Sequence, residues 1–163
     1  MDTLLERTLI IGYGNPDRQD DGVAWHVLRG AAESLGLTPP AAWEDDLPAT
    51  PDLVFRFELQ LTPEMAEDLR GFERVCFVDA HTGNIPVEVQ MVDIQPAYQT
   101  SPFTHHLTPE MLLEMCQSLY GKAPRAVLLS VRGYHFQFSN DLSPETARLL
   151  PGAIQKVLDW LRA

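Results

Sequence analysis

One short stretch restricts the possible folds of this chain more than any other. Thr8-Leu9-Ile10-Ile11 is an apolar run of buried-strand type, and Val23-Ala24-Trp25-His26-Val27-Leu28 opens a helix. Between them lies a polar turn, Gly12-Tyr13-Gly14-Asn15-Pro16-Asp17-Arg18-Gln19-Asp20-Asp21-Gly22, whose glycines let the chain turn tightly. A strand that hands over to a helix in this way is a unit of an open α/β sheet, where ligands bind outside the carboxyl ends of the strands. The turn therefore carries Asn15 and the adjacent carboxylates Asp20 and Asp21 to such an edge. Both carboxylates also stand at a helix start, where free N–H groups and the helix dipole favour them, so capping by itself accounts for either. A nucleotide loop fits poorly. The third glycine of G-x-G-x-x-G falls on Asp17, and neighbouring carboxylates repel a pyrophosphate. A hard or borderline cation suits the loop better.

The rest of the chain keeps alternating strand and helix. The first strand covers about 8–13, and the first helix runs from about Asp20 to Leu35, stopping near Gly36. Residues 37–52 hold Pro39, Pro40, Pro48 and Pro51 and form a surface connection, with Glu44-Asp45-Asp46 as a solvated acidic run. A strand spans 53–59. Thr62-Pro63-Glu64 reads as a helix start with Thr62 as cap, the helix ending near Gly71. Residues 74–80 form a continuous apolar strand that stops at Asp79, and 86–94 form another. Thr108-Pro109-Glu110 starts a helix that closes at Gly121. A fifth strand spans 125–132, and Ser143-Pro144-Glu145 starts a last helix that contains Trp160, a core or interface residue. The pattern predicts a single α/β domain over 1–163: a mostly parallel, twisted five-stranded sheet with helices on both faces. The short connection between 74–80 and 87–93 suggests that these two strands pair antiparallel.

Composition removes several function classes. The 163 residues are enough for one domain with a sizeable core, and 45% of them are hydrophobic. With Lys+Arg 12 against Asp+Glu 23 the formal charge is −11, which disfavours a nucleic-acid partner. No apolar run approaches the ~20 residues of a membrane span, and no secretory pattern opens the chain. Cys76, inside Val75-Cys76-Phe77-Val78, and Cys116 read as core thiols rather than a disulfide or a metal pair. These features lead us to expect a cytoplasmic protein.

Ligand-type side chains stand at three element ends. Asp20 and Asp21 form the first place. The second is Phe77-Val78-Asp79-Ala80-His81-Thr82-Gly83, where an apolar strand ends in Asp79. The third is Phe103-Thr104-His105-His106-Leu107-Thr108, just ahead of a helix. In a parallel sheet the first two share an edge, and the helix brings the third near. Asp, Asp and His suit a borderline divalent metal and leave positions open for substrate or water. Each place also has a plain structural reading. Asp79 can close a turn, one of two adjacent histidines can be surface polarity, and His26 and His135 are surface or core histidines.

Taken in order, Gly12-x-Gly14-Asn15, Asp20-Asp21-Gly22, Phe77-Val78-Asp79-Ala80 and Thr104-His105-His106-Leu107 resemble the [NiFe]-hydrogenase maturation endopeptidases. Phe136-Gln137-Phe138-Ser139-Asn140-Asp141-Leu142-Ser143-Pro144 is similar to that family's closing motif. The resemblance implies a three-layer α/β fold. It also implies removal of a C-terminal extension from a hydrogenase large-subunit precursor after nickel insertion, with nickel in the precursor as the recognition signal. The implied metal contacts, which are also the catalytic set, are Asp21, Asp79 and His105, supported by Asn15, Asp20, Gln60 and His106. Asp20 would orient or cap. Nickel would arrive with the precursor, and no tightly bound resident metal is expected.

The chain departs from many family members in one place. Where they carry Asp-Gly-Gly-Thr after the second strand, it has Leu59-Gln60-Leu61-Thr62-Pro63-Glu64, which resembles the branch serving soluble or bidirectional hydrogenases. No Ser-His-Asp set stands at motif spacing, so metal-assisted hydrolysis is expected, the metal polarising the scissile carbonyl or activating a water. Two other readings stay open: a non-catalytic nickel-checking or docking protein in hydrogenase assembly, and an unrelated small metal-assisted hydrolase.

Overall fold

The protein is described here from a computed structural model, which covers residues 6–98 and 106–163. Five strands, β1 (Thr8–Tyr13), β2 (Leu53–Glu58), β3 (Arg74–His81), β4 (Val89–Ile94) and β5 (Arg125–Arg132), form one sheet in the order β2-β1-β3-β5-β4. β2, β1, β3 and β5 run parallel, and β4 is antiparallel on the outer side of β5. The helices are α1 (Val23–Ser34), α2 (Met65–Leu69), α3 (Pro109–Tyr120), α4 (Pro144–Ala147) and α5 (Leu150–Arg162).

The strand periodicity of two sorts the apolar residues into two cores. Ile10, Cys76, Val78, Val127 and Leu129 face one side, where Val27, Leu28 and Ala31 of α1 and Ala153, Val157 and Leu161 of α5 cover them. Leu9, Ile11, Val75 and Phe77 face the other, under Met65 and Leu69 of α2 and Leu112, Leu113 and Cys116 of α3. The three-layer arrangement expected from the sequence is therefore present. Both cysteines are buried, free thiols. Trp160 is half-buried beneath the Arg74 guanidinium, 4.4 Å from its ring centroid, while Arg74 also donates to the Trp160 and Leu161 carbonyls.

Four expectations need correction. β4 does not pair with β3, because β1 and β5 already occupy both flanks of β3; its part-exposed residues suit an edge strand. The first helix begins with a 3-10 turn, Gln19–Gly22, before α1, and neither aspartate caps it by a side-chain bond. Thr62 does not cap α2; its carbonyl and that of Pro63 accept from Met65 and Ala66 in a turn that leads into a five-residue helix. The last helix is two, since Arg148-Leu149 separates α4 from α5. The other helix signals behave as read. Thr108 Oγ1 accepts from Met111 N at 3.2 Å and Gly121 closes α3 at φ 82°. Ser143 caps α4 by accepting from Thr146 N.

Candidate active site

The carboxyl ends of β1, β2, β3 and β5 define one edge of the sheet, and the turn after β1 is built onto it. Gly14 N donates to Glu58 O at the end of β2. Gly14 has φ +141°, and a Cβ there would stand 2.1 Å from the Asp21 carbonyl oxygen, so only glycine lets the two parts of the turn meet. Asn15 Oδ1 accepts from Asp17 N at 3.0 Å, closing a local turn, while Asn15 N donates to Asp21 Oδ2 at 2.8 Å. Asn15 thus fixes the orientation of the Asp21 carboxylate, which is half-buried.

Asp79 closes the apolar part of β3. Its Oδ1 accepts from Ala80 N at 2.7 Å. Burial pushes its carboxyl up to about 7, and the nearby Asp21 charge pushes the same way, against hydrogen bonds from Tyr13 and Ala80. Tyr13, at the end of β1, is raised well above its ordinary value by burial and by the Asp79 charge. The Asp21 charge is therefore felt at Asp79, and both residues stand at the carboxyl edge of the sheet. A desolvated carboxyl with a second carboxylate acting on it suits a divalent cation, whose charge offsets the cost of ionising Asp79. Among the described residues no three His, Cys, Asp or Glu side chains are grouped to hold a metal. The third candidate, His105, lies outside the described residues. His106 is exposed, ahead of α3, and Gln60 is exposed just past the end of β2.

Asp20 is fully buried and plays a different part. Five donors surround its carboxylate: Tyr134 N, His135 N and Ser143 N, each at 2.8 Å, Ser143 Oγ at 2.6 Å and Thr146 Oγ1 at 2.9 Å. Burial pushes this carboxyl up, but the bonds from Ser143, His135 and Tyr134 outweigh it and hold it below its ordinary value. Further bonds run alongside: Asp20 N to His135 O, Gln19 N to Ser139 O and Ser139 N to Asp17 O. Gln19, at φ 54°, is the one non-glycine residue of positive φ among the described residues. Asp20 thus locks the 134–146 segment against the turn that carries Asp21. It is neither a free base nor a helix cap.

Tyr13 is the site residue that sequence reading missed. Strand alternation could have found it, since 9, 11 and 13 share a face with 75, 77 and 79. The thiols lie apart from this chemistry. Burial pushes the Cys76 thiol up to about 12 and also raises that of Cys116. Both should therefore resist iodoacetamide in the native protein at pH 8, and treatment should leave any activity of the protein intact. Rapid labelling of the folded chain with loss of activity would reinstate a thiol nucleophile.

The fold and this edge define an α/β protein with a two-carboxylate site at the end of a mostly parallel sheet. No family model matches the chain, and no curated protein matches it. Solved structures do. The chain is similar to the hydrogenase maturating endopeptidase HybD from E. coli, with a TM-score of 0.70 at 15% identity over 96% of this chain and 92% of that one. It is also similar to a [NiFe] hydrogenase maturation protease HycI from Thermococcus kodakarensis, with a TM-score of 0.66 at 17% identity over 98% and 95% of the two chains. A hydrogenase 2 maturation peptidase from a Thaumarchaeota archaeon gives a TM-score of 0.61 at 19% identity over 95% and 97%. At these identities the likeness is one of fold, carried over nearly the full length of both partners.

Proposed function

We propose that this chain is an endopeptidase that removes the C-terminal extension of a [NiFe]-hydrogenase large-subunit precursor once nickel has been inserted. The observation that carries the reading is the likeness in fold to hydrogenase maturation endopeptidases over nearly the full length of both chains, with Asp21 and Asp79 at the carboxyl edge of the sheet. His105, three residues before Thr108 in sequence, would complete the set. Nickel is part of the substrate in this reading. Held by these three residues, it would supply the Lewis acidity that polarises the scissile carbonyl or activates a water.

The protein's own residues provide the rest. Asn15 N–H and Ala80 N–H aim the two carboxylates, Tyr13 holds Asp79, and Asp20 makes the supporting loops rigid. Hydrolysis consumes one water, breaks the peptide C–N bond and leaves a new carboxylate and a new amine. Leu59, past β2, and Phe138, in the segment locked by Asp20, are exposed apolar side chains at 51% and 93% exposure. Exposed apolar side chains of this kind on the segments that follow β2 and β5 suit a polypeptide rather than a metabolite. Together with Gln60, the Leu59 turn favours the branch serving soluble or bidirectional hydrogenases. Among the described residues no helix is long and apolar enough to cross a membrane, and we place the reaction in the cytoplasm.

The deciding experiment incubates purified protein with nickel-loaded and nickel-free precursor. Cleavage of the loaded form alone supports the proposal. Binding without cleavage would point to a docking protein, and indifference to both forms to an unrelated hydrolase. His105→Ala should abolish processing while His106→Ala preserves it; the opposite pattern would reassign the histidine. Two carboxylates and one imidazole bind nickel or zinc less firmly than fuller or softer sets. Protein purified without added metal should therefore carry well under one equivalent, and stoichiometric metal would favour a resident-metal hydrolase.

A further inference from the structure

We infer that Arg132 is a substrate-binding residue that receives a carboxylate of the incoming polypeptide, an inference that rests on the endopeptidase reading. Arg132 ends β5 at the same edge as Asp79. Ser130 is the register partner of Asp79 and His81 that of Arg132, so strand alternation places residues 79, 130 and 132 on one face. At ~3.3 Å per residue and ~4.8 Å between strands, the backbones of Asp79 and Arg132 stand about 8 Å apart. A long side chain covers that distance.

The fold builds a seat for this guanidinium and, among the described residues, gives its Nε no acceptor. It stacks over the Tyr134 ring at 4.7 Å. Its Nη1 lies 1.6 Å from where a Cβ on Gly83 would be, and Gly83 has φ +103°, so any other residue there would displace it. The Arg132 backbone is fixed as well: its N donates to Glu88 O at 2.7 Å. Yet among the described residues Arg132 Nε is the one buried side-chain nitrogen or oxygen without a hydrogen-bond partner. Glu88, the carboxylate nearby, is hydrogen-bonded by Arg148 and the Tyr134 hydroxyl, and the Arg132 charge adds to the effect of those bonds in holding its carboxyl below the ordinary value without bonding to it. Leaving a buried donor unmade is costly, and the Nε/Nη edge of a guanidinium matches a carboxylate with two parallel bonds. An oriented guanidinium with one unpartnered donor, at the same sheet edge as Asp79 in a chain of net charge −11, is a receptor for an anion. On a polypeptide the carboxylate is either the free C-terminus of the extension or an acidic side chain within it.

The test measures binding of a synthetic peptide of the cognate extension, and processing of the full precursor, by wild type, Arg132→Gln and Arg132→Lys. Arg132→Gln should weaken peptide binding about 10- to 100-fold, the range for a charged hydrogen bond, and raise KM by a similar factor with kcat nearly unchanged. Arg132→Lys should recover only part of the loss, because an ammonium cannot form the paired bonds. C-terminal amidation, and separately replacement of acidic residues by their amides, identify the source. The modification that removes the carboxylate should weaken wild-type binding and have no added effect on Arg132→Gln. Unchanged peptide affinity in both variants, or a loss confined to kcat, would overturn the inference. Thermal melting of both variants separates misfolding from lost binding: if Arg132→Gln does not fold, Arg132→Lys with full affinity overturns the inference by itself. Peptide binding is read independently of cleavage, so absence of precursor cleavage by wild type would count against the endopeptidase reading and not against Arg132.

Discussion

Asp79→Ala and Asp21→Ala should each lower precursor processing by more than about 100-fold, beyond the ~10- to 100-fold lost with groups that only support a metal's ligands. In the proposed site these two carboxylates are the metal-facing donors: burial disfavours the Asp79 charge and the Asp21 charge adds to that cost. Such an arrangement is maintained for binding and not for stability. Removing the Asp79 carboxylate relieves its repulsion and desolvation in the free protein, so Asp79→Ala should melt at or above the wild-type temperature, while Asp21→Ala, which loses the bond from Asn15 N, should melt close to it. Processing assays read the first effect and calorimetry the second. Retention of more than a tenth of wild-type processing in either variant would remove that residue from the site. A marked fall in melting temperature would make it a structural group.

Much of the architecture was legible before any coordinates. The apolar runs at 8–11 and 74–78 are buried on both faces, so they stand out without a register to locate them. The signals of α3 are local: Thr108, Pro109 and Gly121 act within four residues of their partners. The edge strand was less legible, because β5 enters between β3 and β4 from more than thirty residues away in sequence, and a short connection says nothing about what inserts. The site divides in the same way. Asp21 and Asp79 are readable as ends of parallel strands or of the turns that follow them. The Tyr13–Asp79 bond needed the register of β1 on β3, and the role of Asp20 needed partners 114–126 residues away. Capping was the local explanation for Asp20, and long-range satisfaction of its oxygens displaced it.

Asp20→Ala should be the most destabilising single change in the loops around the site, costing about 3–5 kcal/mol. For a chain of this size that is roughly 6–20 °C in melting temperature. The alanine leaves three backbone N–H groups, Tyr134, His135 and Ser143, without their acceptor, together with two hydroxyls, and none of the vacated volume is open to solvent at a residue of 0% exposure. Asp20→Asn should cost less. With its oxygen in the place of Oδ2 it still serves Tyr134 N and His135 N, the Ser143 and Thr146 hydroxyls can rotate, and only Ser143 N faces the new NH2. The order of stability is therefore wild type, Asp20→Asn, Asp20→Ala, read by thermal or urea unfolding. The effect should also be local before it is global. The 134–146 segment loses its anchor to the turn that carries Asp21, so amide exchange at Tyr134, His135 and Ser143 should quicken in Asp20→Asn while the amides of β1 and β3 keep their protection. Equal melting of Asp20→Ala and wild type, or uniform loss of protection across the sheet in Asp20→Asn, would contradict the view that this buried carboxylate holds the two loops together. Because Asp20 acts through those loops, its loss should lower processing even at temperatures where the variant is fully folded, with Asp20→Asn again intermediate.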